Sequence, residues 1–564
     1  MKKLLALLLA VVMVVGLMAA CNKGSADTQP SADTQATQGG SANATEATTE
    51  ATEPLPGYMD AAHPERYGGH FNARIYSNPP SLDPMKNAGT WYYHYLICIF
   101  EPALTRDADN NIQPGICDYT LSDDELTLTL WVQDGVTFHN GDPVDIYDIE
   151  ATFTRASTMY SHIKNKVWPY VESMEVQGDK LVLKFTEVRE EIMYRLASWQ
   201  TWCSVQPKEI CEKYTGDNNY NYDCIEDAIG TGPYKVTEFT KDVSITVERY
   251  EGYKVRGEGL TGFAGPKYAY LDSITFYSNK DDSNATMALL AGDYDIVECI
   301  DSEYKDLIAG EGIIETKWPS DQGMRLFYNT KSTASLVSKY PSLRKAIAAA
   351  IPFDEFCGVV SDYQHEMGGC PWLDPRYDTD VFTTVDYYGD INMDAVNKYL
   401  EMAKQEGWNG TDPIQVYRNN TRDDIPTLFK QYLQNAGIPV EVHILESGAL
   451  SDVKAQTETS VWDVDMDWVT WRHTPTTFTS TTYMNCPEYD ALIEKMAALS
   501  PSSDEYVALV MELSEVMVED ASIIYMTNNY WFWYHPAEFH PNDEGIARYY
   551  FNSYWDDPEN HPKK

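Results

Sequence analysis

"LTLTLWVQDGVTFHNGDPVDIYDIEATF", Leu126 to Phe153, changes its hydrophobic period partway along, and that change decides how the chain is built. Leu126, Leu128, Leu130 and Val132 alternate with other residues, the period of a strand with one buried face. Asn140-Gly141 supplies a turn, and Pro143 presets the backbone for the apolar residues that follow at helical spacing. The stretch reads as strand, turn, helix start, and its residues are expected to build scaffold rather than touch a ligand. The same alternation marks strands at Lys180 to Phe185 and Val243 to Tyr250. Helical spacing marks Val144 to Ala156, Ser283 to Gly292, Ser342 to Ile351, Ala395 to Trp408 and Glu488 to Leu499. In "GTGPY", Gly230 to Tyr234, two glycines allow a tight path and Pro233 sets the exit back into a sheet. Strands and helices that interleave in this way predict a layered α/β protein.

The chain has 564 residues, 43% of them hydrophobic, which predicts two or three structural units. A formal charge of −44 repels phosphate backbones, so no nucleic acid is expected as a partner. "MKKLLALLLAVVMVVGLMAAC" orders two lysines, an apolar run and small residues as a signal peptide over 1–20. The run from Leu4 to Val15 is shorter than a comfortable membrane span. "LMAAC" resembles the bacterial lipobox, with Met18 where leucine is commoner, which implies cleavage before Cys21 and a lipid on its sulfur. Residues 21–56 are Ser, Thr, Ala, Gln and Gly with almost nothing to bury, a flexible tether reaching about 30 Å.

Nine cysteines follow Cys21, at 98, 117, 203, 211, 224, 299, 357, 370 and 486. None forms a C-x-x-C pair, which argues against structural zinc; disulfides and buried thiols both stay open. The sequence holds no G-x-S-x-G, H-E-x-x-H or phosphate loop. The S-x-x-K at Ser161 to Lys164 lacks its companion motifs, and "DADNN", Asp107 to Asn111, has Ile112 where a calcium loop needs glycine. No catalytic residue, metal ligand or cofactor is therefore expected.

Several stretches resemble, in order, the extracytoplasmic substrate-binding proteins of peptide-type ABC transporters, the oligopeptide- and dipeptide-binding family. "SLDPMKNAGTWYYHYLICIFEPAL", Ser81 to Leu104, carries Leu82, Asp83, Pro84 and the Phe100-Glu101 pair of its first segment. Within Leu126 to Phe153, Gly135, Phe138, His139, Gly141, Pro143 and Asp148 match, while Val132 and Gln133 stand where arginine is usual. "GTGPYKV", "VERYEGY", "YLDSITF", "LLAGDYD", "SLRKAIAAAIPFDEF" and "LEMAKQEGW" continue the series. The resemblance implies the type II periplasmic-binding-protein fold, two closing lobes with an additional inserted domain. Lobe I would comprise 57–104, 206–304 and 526–564, the inserted domain 105–205 and lobe III 305–525. It also implies ABC permease subunits as membrane partners, a monomer, and attachment to the membrane by the N-terminal lipid.

In peptide-binding members the segment corresponding to Asp463 to Phe478 lines the cleft and carries an aspartate that pairs with the peptide amine. Here Trp471 stands at that position, so that either Asp467 or Asp465 replaces it or the ligand lacks that amine. A buried ammonium without a partner costs several kcal/mol, so the substitution bears on the cargo. The resemblance places Thr90, Trp91 and Tyr92 on one wall and Asp467, Trp468, Thr470, Trp471, Arg472 and His473 on the other. Read without it, both tryptophans are core residues and Arg472 a surface charge. Peptide is the expected cargo, then an oligosaccharide, then a metal chelate.

Overall fold

The computed structural model describes residues 56–563, apart from 77–80, 86–91, 110, 160, 199–202, 216–221, 223, 299–303, 309–311, 354, 357–363, 366–374, 378, 420–423, 456–457, 471–483, 500–502 and 543–549. The expected signal peptide, Cys21 and nearly all of the tether lie outside the described residues.

Three hydrophobic cores organise the described chain. The first surrounds a four-stranded sheet in the order His70–Ile75, Ser273–Ser278, Ser244–Arg249, Tyr234–Thr240. Its first pair is parallel and the others antiparallel. The helix Tyr93–Ile99 buries every one of its residues on this core. Distant stretches complete it: Phe71 stacks on Phe539 at 4.1 Å, and Tyr550, Phe551 and Trp555 are buried there. The edge strand His70–Ile75 is covered rather than left open, since His70 N–H donates to the His561 carbonyl at 2.5 Å and Arg74 N–H to that of Ile296 at 3.2 Å.

The second core belongs to the stretch that opened the sequence. Cys117–Leu121, Thr127–Val132, Lys180–Phe185 and Val171–Gln177 pair antiparallel in that order. Leu128, Leu130, Leu181, Leu183 and Phe185 point to one side and are buried, as the alternation requires. The helix Ile146–Met159 lays Ile149, Phe153 and Ala156 into the same core.

The third core is the largest and holds a sheet in the order Val297–Glu298, Ile523–Pro536, Ile313–Tyr328, Val464–Thr470, Ile414–Asn419, Val440–Leu445. Gln364–His365 also pairs with Ile523–Pro536. Two of its helices are capped at their N-termini: Asn392 accepts from Ala395 N–H and Ser503 from Tyr506 N–H.

Two strands of this sheet do more than complete it. Leu326, Phe327 and Tyr328 of one, and Ile523 to Met526 of the other, lie in the third core. Further along, Trp533 lies in the first core, while Phe532 and Tyr534 join Leu289, Val297 and Ile308 in a small fourth cluster. The antiparallel pair thus crosses from one core to the other. Its register shifts between Pro319 and Gly323 and again between Met324 and Arg325, where proline removes a ladder donor.

The seam between the first and second cores is made by the motifs of the opening stretch. His139 N–H donates to the Gly230 carbonyl at 3.0 Å, Gly230 N–H to His139 Nδ1 at 3.2 Å, and His139 Nε2 to the Gly232 carbonyl at 3.0 Å. Side chains are excluded at both glycines. A Cβ on Gly230 would lie 2.1 Å from the Ile99 carbonyl oxygen and one on Gly232 2.4 Å from that of Cys98. Tyr250 Oη adds a bond to the Phe138 carbonyl at 2.6 Å.

This pairing needs a neutral imidazole with its proton on Nε2, because protonating Nδ1 would abolish the bond from Gly230. Burial is the largest influence and moves His139 down to about 4, against the Gly232 carbonyl and the Glu101 charge, which favour the imidazolium. The unfolded chain therefore binds a proton that the folded chain refuses between about pH 6.5 and 4. Stability falls as pH drops through that window, by up to about 3 kcal/mol. Thermal unfolding of His139→Gln should show a shallower decline than the parent from pH 6.5 to 4. Equal slopes would contradict this assignment.

Candidate functional site

The strand Val464–Thr470 lies beside Gln322–Tyr328, with Asp467 opposite Arg325, Trp468 opposite Met324 and Thr470 opposite Gln322. Its C-terminal end therefore reaches the register shifts at which the long strand pair passes between cores. Three of the expected ligand residues, Asp467, Trp468 and Thr470, are placed together on that strand. Trp471, Arg472 and His473 continue from it and lie outside the described residues, as do Thr90 and Trp91. Tyr92 is described. It precedes the helix Tyr93–Ile99, is half-buried, packs against the first core, and sits 6.5 Å from Tyr95 in an edge-on contact. Tyr92 and the strand Val464–Thr470 thus belong to different cores, joined by the long strand pair.

The two aspartates at the start of this strand, Asp463 just before it and Asp465 within it, are committed elsewhere. Asp463 accepts Ser335 Oγ at 2.7 Å and the backbone N–H groups of Leu336 at 2.5 Å and Gln415 at 2.8 Å. It fastens the turn before helix Leu336–Lys339 to the strand Ile414–Asn419. Burial nevertheless pushes its carboxyl upward, the hydrogen bonds working against that. Asp465 is 2% exposed and pairs with Lys454. Of the two expected replacements for the amine partner, Asp465 is thus already paired.

Sequence reasoning passed over the charged residues that the fold buries. Glu101, noted only as half of the Phe100-Glu101 pair of the first segment, is 3% exposed and accepts from Lys267 Nζ at 2.9 Å, Tyr253 Oη at 3.1 Å and Thr231 Oγ1 at 3.3 Å, and from Arg256. The signal was present: one carboxylate inside the apolar run "LICIFEPAL". Asp83 of the first motif grips Arg155 of the helix Ile146–Met159, with both side chains fully buried. Neither cluster lies on the strand that carries the candidate ligand residues.

One constellation superficially suits nucleophilic catalysis. His70 Nδ1 is 2.5 Å from Ser273 Oγ, and Nε2 is 3.1 Å from Asn72 Oδ1. All three are at least nine-tenths buried within the first sheet, and Trp555 Nε1 donates to the His70 carbonyl at 3.2 Å while its ring stacks on His561 at 3.6 Å. A nucleophile in that position has no room for a substrate, and burial lowers the affinity of His70 for a proton. The "DADNN" segment is likewise local: Asp107 Oδ1 accepts Asp109 N–H at 3.0 Å and Asn111 N–H at 2.9 Å within a hairpin. Cys98, Cys117, Cys203, Cys211, Cys224 and Cys486 are free thiols, all but Cys224 buried. Burial pushes Cys98 and Cys211 up to about 12. Such thiols are inert.

Separate α/β cores tied together by two long strands fit the type II periplasmic-binding-protein fold, which the matched family and solved structures share. The family model for bacterial extracellular solute-binding proteins, family 5 Middle, matches residues 111–489, and the chain belongs to that family. Its sequence is similar to that of the oligopeptide-binding protein AppA of Bacillus subtilis, 23% identical over 371 residues, 62% of this chain and 63% of the relative. It is also similar to the glutathione-binding protein GsiB of Salmonella paratyphi A, 25% identical over 252 residues, 44% of this chain and 46% of the relative. The chain therefore spans less than two thirds of the length of these curated relatives. The structure of the binding protein DppA from Helicobacter pylori in complex with peptide STSA shares the fold. The TM-score is 0.70 at 18% identity, covering 88% of this chain and 100% of that one. The proteins matched are binding proteins rather than enzymes.

Proposed function

We propose that the protein is the extracytoplasmic receptor of an ABC transporter, which captures a peptide between two lobes and presents it to permease subunits in the membrane. Lobe I is taken from 57–104, 206–304 and 526–564, the inserted domain from 105–205 and lobe III from 305–525. The observation that carries the reading is the strand pair Ile313–Tyr328 and Ile523–Pro536, shared by two cores and broken in register beside Val464–Thr470. A pair of this kind lets the lobes swing while both keep their packing. Thr90, Trp91 and Tyr92 form one wall and Asp467, Trp468, Thr470, Trp471, Arg472 and His473 the other, with stacking by the aromatics and Arg472 set for a carboxylate. Cys21 carries the lipid that holds the protein at the membrane surface, and residues 22–56 are its leash. The names of AppA and GsiB support a peptide cargo, since glutathione is itself a tripeptide.

With Asp465 held by Lys454, Asp467 is the group that meets the peptide amine. Mass spectrometry of what co-purifies with the protein identifies the cargo class; an oligosaccharide or a metal chelate in place of a peptide overturns this choice. With the peptide in hand, Asp467→Asn should weaken binding by about 10- to 100-fold, the loss of one charge-assisted hydrogen bond. The N-acetylated peptide should bind the parent and Asp467→Asn equally. Asp465→Asn should lower thermal stability and leave affinity within about twofold, and Trp471→Ala should reduce ligand-induced stabilisation. An amine-independent Asp467→Asn effect would refute the anchor.

A further inference from the structure

Glu101 is saturated. Its Oε1 accepts from Lys267 and Tyr253, and its Oε2 from Arg256 and Thr231, which fills the lone-pair positions of a carboxylate. The cations facing it are not. Among the described residues Lys267 Nζ gives one hydrogen bond, to Glu101, and stands 5.8 Å from the Phe551 ring. Arg256 gives one to Glu101 and one to the Lys254 carbonyl at 3.0 Å, out of five N–H groups in its fork. Both cationic side chains are nearly buried, at 11% and 12% exposure.

These groups line a cavity of about 180 Å³ in the seam between the first and second cores, together with Thr105, Gln133 and Tyr253. Gln133 Nε2 is turned away to Asp118 and Tyr253 Oη is given to Glu101, so the neutral lining does not consume the spare donors. Glu258 also lines the cavity but is exposed and forms no ion pair among the described residues. The nearly buried charges that line it are thus one carboxylate against a guanidinium and an ammonium. Water can fill the space but cannot balance the surplus charge, and an uncompensated charge in a nearly buried seam is expensive. From this surplus we infer a binding site for one small monovalent anion, chloride or a carboxylate of formate size, held against Arg256 and Lys267. The anion completes the electrostatic joint between the inserted core and the first core. It lies apart from the Val464–Thr470 strand and does not rest on the identity of the transported solute.

The test is thermal unfolding of the full chain in sodium chloride, sodium formate and sodium gluconate at matched ionic strength. Gluconate, a six-carbon polyhydroxy anion, is the bulky control. Chloride and formate should raise the unfolding temperature saturably above the gluconate value. Lys267→Met, which removes the surplus charge and leaves the Glu101–Arg256 pair, should abolish the difference. Crystals of the parent protein in bromide should show an anomalous peak between Arg256 and Lys267, which decides the matter if Lys267→Met does not fold. Identical unfolding in all three salts, a chloride response retained by Lys267→Met, or no bromide peak in the seam would each overturn the inference.

Discussion

Asp83→Ala should lower stability by about 3–5 kcal/mol, the cost of stranding one member of a buried ion pair. Arg155 Nη2 lies 2.6 Å from Asp83 Oδ2 and Nη1 3.1 Å from Oδ1, in a two-pronged pair with both side chains fully buried. The arginine also reaches Gln206 Oε1 at 3.0 Å and the Tyr214 carbonyl at 3.2 Å, and Asp83 Oδ1 receives Met85 N–H at 3.0 Å. The cluster ties residues 81–85, the helix Ile146–Met159 and residues 206–214 into one joint. Alanine removes the carboxylate and leaves a guanidinium that cannot shed its proton and cannot reach water. The double variant Asp83→Ala with Arg155→Met removes the stranded charge as well, and should be less destabilised than Asp83→Ala alone. Because the joint spans separate cores, Asp83→Ala should also broaden or split the thermal transition. A double variant less stable than the single one would mean that the arginine acts through its packing rather than through its charge.

The same joint shows where sequence reading reaches its limit. Asp83 stood out as part of a motif, but its partner is 72 residues away and nothing in local spacing connects them. Elements with a single buried face were legible, because one period fixes both their type and their inner side. The strands appear at Thr127–Val132, Lys180–Phe185 and Ser244–Arg249, and the helices at Ile146–Met159, Asp282–Ala291 and Met393–Glu406, within a few residues of expectation. The positions of the two strands that unite the cores were not legible. "IIETKWPSDQGMRLFY" contains a proline and a glycine that break a strand pattern, and "IIYMTNNYWFWYHP" changes from one core to another midway. Their continuity comes from pairing with each other. The candidate site shows the same division: Asp463, Asp465 and Asp467 look alike in sequence, yet Asp463 fastens a turn and a strand, and Asp465 answers a lysine eleven residues back.

Glu101→Gln should cost a comparable amount, about 3–5 kcal/mol near neutral pH, because it leaves Arg256 and Lys267 facing each other without the carboxylate between them. Its pH signature separates it from a packing defect. Burial, the largest influence on Glu101, would raise its carboxyl; Arg256 and Lys267 outweigh that and hold it at about 2, below the 4.5 of an ordinary glutamate. A depressed carboxyl contributes stability that is complete above about pH 4.5 and is lost as pH falls toward 2. The parent protein should therefore lose about 3 kcal/mol across that window from this group, and Glu101→Gln should not. The difference between the two should be largest at pH 5 and above and should close toward pH 2. This window begins roughly where that of His139 ends, so His139→Gln flattens the decline from pH 6.5 to 4 and Glu101→Gln the one below it. Glu101 favours the imidazolium of His139 electrostatically, so removing its charge should also move the upper window toward lower pH. A constant gap between parent and Glu101→Gln from pH 7 to 2 would show that the carboxylate contributes shape alone, and that the charge at the seam is balanced by other means.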